Sequence, residues 1–127
     1  MVIGIGIDII EVERVAEKIE KEQGFRELVF SAAEIAYCER MAHKHQHYAA
    51  RFVAKEAFLK AMGTGWADGT AFSEIEVLHA EGGKPVLQLS GNTASWAKER
   101  GADKFSVSLS HVKTMATAVV LIHGGEQ

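Results

Sequence analysis

The first residues of the chain alternate. Ile3, Ile5, Ile7 and Ile9 fall on one side of an extended backbone, and Gly4, Gly6 and Asp8 on the other. A period of two with unlike faces predicts a half-buried strand over residues 2–10, whose second face is unusually bare. The period then changes. Val12, Val15, Ala16 and Ile19 recur at helical spacing and predict an amphipathic helix over 11–23, stopped by Gly24, with Arg14, Lys18 and Lys21 on its outward stripe. Ser31 followed by Glu34 has the spacing of a capping box and opens a predicted helix over 31–42. After a short histidine-rich connection, residues 48–62 are rich in Ala, Leu, Lys and Phe and predict the strongest helix of the chain, ended by Gly63-Thr64-Gly65.

Further on, residues 75–79 and 86–89 read as strands joined across Glu81-Gly82-Gly83-Lys84, with the only proline just after that loop. A helix is expected over 93–100, stopped by Gly101. Phe105, Val107 and Leu109 alternate with Ser106, Ser108 and Ser110, and with the apolar run 116–122 they predict an antiparallel pair. No repeat, low-complexity tract or linker interrupts this order. The expectation is one α+β domain over residues 1–127, an antiparallel sheet packed against a long central helix.

Composition narrows the setting. A chain of 127 residues can bury roughly two-thirds of its unfolded surface around one core. With 47% apolar and 24% charged residues, general disorder is excluded. The single cysteine, Cys38, rules out an internal disulfide and suits a reducing compartment. No apolar run approaches the roughly 18 residues needed to cross a membrane, and the N-terminus lacks a secretory pattern, so a cytoplasmic protein without a membrane partner is expected. A net charge of -3 supplies no bulk field for nucleic acid, so no nucleic-acid partner is expected and any basic surface must be local.

Gly4-x-Gly6-x-Asp8 lacks the third glycine of a dinucleotide fingerprint, and its glycines lie inside the strand, before the turn where that motif needs them. Glycine at alternate positions instead clears one face for a close backbone or a ligand, with Asp8 projecting into the space. The competing reading is that Asp8 caps the next helix. On the central helix, Phe52, Glu56, Leu59, Lys60 and Gly63 share one stripe, which seats Glu56 among apolar neighbours. A carboxylate there needs a cation, either Lys60 one turn on or a metal. Two carboxylates from separate elements, with no cysteine or paired histidine at ligand spacing around them, suit Mg²⁺ and not Zn²⁺. Magnesium usually completes its shell with water and substrate phosphates, which points to a phosphoanhydride substrate with Lys60 as a nearby charge. His43, His45 and His47 could chelate a transition metal only if their segment were extended; the plainer reading is a solvated loop. Ser106, Ser108 and Ser110 read as the solvent or interface face of a strand, since no His and Asp arrangement supports a nucleophile.

Two segments carry a resemblance to a known family. Gly4-Ile5-Gly6-Ile7-Asp8-Ile9-Ile10-Glu11 with Arg14, and Arg51-Phe52-Val53-Ala54-Lys55-Glu56-Ala57-Phe58-Leu59-Lys60-Ala61-Met62-Gly63-Thr64-Gly65, resemble the two motifs of the holo-acyl-carrier-protein synthases, the short phosphopantetheinyl transferases. The resemblance extends over the whole chain in length, element order and motif spacing. It implies transfer of 4'-phosphopantetheine from coenzyme A to a serine of apo-acyl carrier protein, with release of adenosine 3',5'-bisphosphate. Asp8 and Glu56 match the family's magnesium ligands, and Lys60 its lysine beside the pyrophosphate. Arg51 and His111 fall where such enzymes contact the 3'-phosphate of coenzyme A. Arg14, Lys18 and Lys21, continued by Phe25 and Arg26, resemble the surface that docks the acidic carrier, although Glu11, Glu13, Glu17, Glu20 and Glu22 crowd the same segment. The resemblance also implies a homotrimer with active sites at subunit junctions. A rival reading is a non-catalytic module that binds coenzyme A or an acidic protein on the same fold.

Overall fold

The computed structural model describes residues 1–67 and 69–125. The alternating N-terminal segment is strand β1 (Val2–Glu11). It pairs antiparallel with the last strand, β5 (Met115–Gly124), which pairs in turn with β4 (Ala102–His111). The order β1-β5-β4 therefore brings the two ends of the chain together. Between them run α1 (Val12–Glu20), α2 (Phe25–Val29), α3 (Ala32–Glu39), α4 (Lys44–Ala61), a 3-10 turn (Phe72–Glu74), β2 (Ile75–His79), β3 (Pro85–Leu89) and α5 (Gly91–Glu99). The architecture is α+β as the pattern predicts, but the antiparallel strands are divided: β2 and β3 form a separate two-stranded sheet.

Register decides which side chains share a face. Gly4, Gly6 and Asp8 stand opposite Ile122, Val120 and Ala118 of β5, which in turn oppose Phe105, Val107 and Leu109 of β4. Helix α4 packs against this sheet. From Tyr48 to Ala61 every residue of the helix is buried except Glu56 and Lys60. Contact is closest at the glycines: a Cβ on Gly4 would run into the Ala61 carbonyl, and one on Gly6 into the Ala57 carbonyl. Bare positions let strand backbone rest directly on helix backbone, and this sets where Asp8, two residues on, meets α4.

The isoleucine face has the opposite fate. Ile5 and Ile7 are each 65% exposed, and their cross-strand partners are Leu121 and Val119, flanked by Ser106 and Ser108 of β4. The half-buried strand is thus buried on its glycine side and open on its isoleucine side, because only the glycine side admits a helix backbone. We expect Gly6→Ala to destabilise the chain by about 1–3 kcal/mol, the usual penalty of overpacking. Thermal unfolding measures that loss, and a fall in activity beyond the unfolded fraction would report that β1 has been lifted off α4.

Three local departures from the predicted elements have clear causes. The capping box forms as expected, with the Glu34 N–H donating to Ser31 Oγ and the Ser31 N–H to Glu34 Oε1. Helix α4, however, begins at Lys44, so the histidine-rich connection is helical: His43 is the cap residue, and His45 and His47 point about 160° apart around the axis. They do not converge as they would in an extended loop. Helix α5 begins at Gly91 because Glu74 binds its first turn, its Oε1 accepting from the Thr93 N–H at 3.0 Å and the Thr93 hydroxyl at 2.7 Å. Helix α2, too short for a periodic signal, was not foreseen, and it starts where Gly24 takes a left-handed φ of 92°.

Candidate active site

Asp8 does not cap α1, whose N-cap is Glu11. Strand β1 continues past Asp8, and the Thr117 hydroxyl of β5 ties down the Asp8 carbonyl at 2.7 Å. The Asp8 side chain meets Glu56 and Lys60, the two residues of α4 left uncovered between Tyr48 and Ala61. Lys60 Nζ lies 3.1 Å from Asp8 Oδ1 and also donates to the Ile7 carbonyl at 3.3 Å. Lys60 therefore turns toward the strand instead of pairing with Glu56 along its own helix.

The electrostatics are those of two carboxyl groups sharing one ammonium. Burial raises the Glu56 pKa first, the hydrogen bond and charge of Asp8 raise it further, and Lys60 and Lys18 oppose; the result is a carboxyl pushed up to about 7. Burial also works to raise Asp8, but hydrogen bonds from Glu56, Lys60 and the Ile9 N–H outweigh it and hold Asp8 below its ordinary value. Below about pH 7 Glu56 thus retains a proton that Asp8 accepts. Such a pair is short of positive charge, and a divalent cation could replace the proton. Among the described residues no third His, Cys, Asp or Glu joins them. The donor set fits a hard cation that fills its shell with water and substrate oxygens.

What orients Glu56 is its neighbour in sequence. Lys55 is fully buried, and its ammonium donates to Glu34 Oε1 at 2.8 Å, the Phe72 carbonyl at 2.8 Å and the Ile75 carbonyl at 2.6 Å. Glu34 Oε2 accepts from the Val77 N–H at 2.9 Å. Burial presses the Lys55 pKa down, and the charge and hydrogen bond of Glu34 oppose it. The pair joins α3, α4, the 3-10 turn and β2, and so sets the rotation of α4 that presents Glu56 to Asp8. Sequence reading placed Glu34 only in the capping box and gave Lys55 no role. The available signal was a lysine on a helix whose other faces are apolar.

Arg51 and His111 belong to a second cluster. Arg51 is 2% exposed, its guanidinium carbon 4.4 Å from the centre of the Tyr37 ring. His111, the last residue of β4, lies 5.1 Å from the His47 ring, centre to centre, and bonds Gln46 through Nδ1 at 2.9 Å. Arg51 and Glu56 are about 140° apart around α4, so within one chain the two clusters face different directions.

Arg14 and Lys18 on α1 and Lys21, which caps its C-terminus, are all exposed, with Lys18 5.5 Å from the centre of the Phe25 ring. Arg26 is not available as a continuation, because it binds Glu27 at 2.7 Å and Glu39 at 3.2 Å. Glu20 is drawn to His45 at 3.2 Å, which removes one acid from competition with the basic stripe.

Residues 4–120 match the model of the 4'-phosphopantetheinyl transferase superfamily. A holo-[acyl-carrier-protein] synthase of Ruminiclostridium cellulolyticum is 48% identical over 124 residues, covering 96% of this chain and 92% of that protein. That of Solibacter usitatus is 40% identical, covering 96% and 98%. Among solved structures, the holo-[acyl-carrier-protein] synthase of Neisseria meningitidis superposes with a TM-score of 0.88 at 31% identity, covering 97% of this chain and 99% of that one. The Bacillus anthracis synthase, described in complex with CoA (3',5'-ADP), gives 0.81 at 33% identity, covering 98% and 99%. With near-complete coverage in both sequence and structure, the chain belongs to the 4'-phosphopantetheinyl transferase superfamily, as one of its holo-acyl-carrier-protein synthases.

Proposed function

We propose that this enzyme uses coenzyme A as donor and a serine of apo-acyl carrier protein as acceptor of 4'-phosphopantetheine, in a Mg²⁺-dependent reaction that releases adenosine 3',5'-bisphosphate. The observation that carries the reading is the meeting of Asp8 with Glu56 and Lys60, the two uncovered positions of α4 between Tyr48 and Ala61. Asp8 and Glu56 would hold the ion, which when bound would neutralise charge that grows on the leaving bisphosphate. Lys60, with a mobile four-carbon stem and a 55% exposed side chain, swings from Asp8 to the pyrophosphate as a point charge. The serine oxygen bonds to the phosphorus that bears pantetheine, the bond from that phosphorus to the bridging oxygen breaks with its electron pair leaving on the bisphosphate, and the hydroxyl proton passes to water. Arg51 and His111 bind the 3'-phosphate. Incubation with coenzyme A, Mg²⁺ and apo-carrier, followed by intact mass, tests the reading: the carrier should gain one phosphopantetheine unit, and an unchanged carrier mass would overturn it.

The carrier docks on the exposed Arg14, Lys18 and Lys21 stripe. Lys18 acts electrostatically on Glu56, so this stripe borders the reaction site. Arg14→Glu is expected to raise the KM for carrier about tenfold at low salt and less at high salt, with kcat held, as for a charge on an interface rim. An unchanged KM would count against the stripe.

The exposed isoleucine face of the sheet supports assembly as a homotrimer, because four isoleucines with Val119 and Leu121 make an apolar patch that further copies would cover. Arg51 and Glu56, turned apart within one chain, would then face sites shared between neighbours. A stable, active monomer in light scattering would refute this assembly. No helix among the described residues is long and apolar enough to cross a membrane. The reading places the reaction in the cytoplasm.

A further inference from the structure

The cluster around Arg51 holds more than its two family residues. Three imidazoles from three elements gather there: His47 of α4, His79 at the end of β2 and His111 at the end of β4. Tyr37 stacks on His79, with ring centres 4.6 Å apart, and meets His47 edge-on at 5.9 Å, while His47 meets His111 at 5.1 Å. Among the described residues the Nε and Nη2 donors of Arg51 have no acceptor, and Nη1 reaches only the His47 carbonyl at 3.3 Å. A buried guanidinium with spare donors is an incomplete site for an anion.

The charges facing His47 sharpen this. The groups that act on it are His111, Arg51, His43 and His79, every one a base, and after burial they hold its pKa below the ordinary histidine value of 6.5. His79 is lowered by burial and by Arg51. Neighbouring carboxylates are committed elsewhere: Glu34 to Lys55, and Glu39 to Tyr48, Lys44 and Arg26. At the C-terminal cap of α3, Arg40 lies 5.8 Å from the Tyr37 ring and adds a further positive charge. On β2, Glu76 acts on Lys55. On β4, His111 bonds Gln46 through Nδ1.

We propose that this cluster binds a phosphomonoester dianion with uptake of a proton by His47, so that the enzyme's affinity for a 3'-phosphorylated donor weakens as pH rises above neutrality. The proposal rests on coenzyme A being the donor. Without the anion, a charged His47 would add to the positive charge of Arg51; with two negative charges beside it, the same proton is stabilised. The sign follows from linkage. Below the free imidazole pKa the proton is already present and affinity is flat; above it, up to the raised pKa of the complex, binding takes up close to one proton and affinity falls about tenfold per pH unit. The phosphate is not the proton acceptor, because its second pKa is about 6 and a cationic site lowers it further.

Calorimetry of the full chain at pH 7.5, in buffers of differing ionisation enthalpy, tests this with coenzyme A and 3'-dephospho-coenzyme A. Buffer-dependent heat is expected with coenzyme A, reporting uptake of most of one proton, and is expected to be nearly absent with the dephospho compound. His47→Gln should remove the buffer dependence while coenzyme A still binds. Equal buffer dependence for the two compounds, buffer-independent heat with coenzyme A, or uptake that persists in His47→Gln would each overturn the proton linkage alone. No binding of either compound would overturn the coenzyme A reading and the linkage with it.

Discussion

Glu56→Gln is expected to lower kcat about a thousandfold, since losing a proposed metal ligand would remove about 4 kcal/mol of transition-state stabilisation at tenfold per 1.36 kcal/mol. The amide keeps the shape of the side chain and its place on α4, so the loss should come with no loss of fold. A stability comparison separates the two. The folded-state pKa of Glu56 is raised from 4.5 to about 7, so its contribution favours folding below pH 4.5 and is lost as pH rises through 7. Glutamine carries no such pH-dependent penalty. The variant's Tm at pH 8 should therefore equal or exceed that of the unmodified enzyme, while its rate collapses. The same proton predicts that apparent Mg²⁺ affinity of the unmodified enzyme rises with pH through 7, because the ion displaces the Glu56 proton, and that this dependence is missing from the variant. A rate near that of the unmodified enzyme, or a much lower Tm, would overturn the assignment of Glu56.

Lys55→Met is the most destabilising single change we expect, at about 3–5 kcal/mol, the usual effect of removing one partner from a buried ion pair. Methionine fits the stem of the lysine but leaves Glu34 charged and buried, and leaves the Phe72 and Ile75 carbonyls without their donor. For a domain with a total stability of roughly 5–15 kcal/mol this is a large fraction, and Tm should fall by about 10–20 °C. Glu34→Gln is the informative companion. With its single oxygen kept for the Val77 N–H, the amide loses the acceptor for Lys55 and the Ser31 N–H, but Lys55 retains the Phe72 and Ile75 carbonyls, so a loss smaller than that of Lys55→Met is expected. If Lys55→Met melted with the unmodified enzyme, the pair would not be what holds α3, α4 and β2 in position.

Much of this molecule was legible from residue pattern because the relevant signals are local. The alternation of β1, the capping box at Ser31 and Glu34, and the β2–β3 hairpin depend on neighbours a few residues away, and each was found where the pattern put it. The start of α4 was missed because His45 and His47 are weak helix formers with no apolar period, while tertiary packing extends the helix over them. The separation of β2 and β3 from the main sheet leaves no mark on either strand's own alternation. Lys55 and His79 escaped notice, and His47 was read as part of a solvated loop, because a lysine, or a histidine, reads the same whether its partner is solvent or a residue far along the chain.

By itself the sequence singled out the residues proposed to bear the chemistry. Asp8, Glu56 and Lys60 stand out by residue type and helical phase, and the two glycines before Asp8 announce that something must come close. Tertiary structure alone decided what comes close and where the charges go. The strand register and the glycine contact with Ala57 and Ala61 bury the bare face of β1 and expose its isoleucines. Across that contact Lys60 turns to Asp8, and the Glu56 pKa is raised to about 7. These outcomes depend on distances between segments some fifty residues apart, and Coulomb and desolvation energies are set by such distances, not by order along the chain.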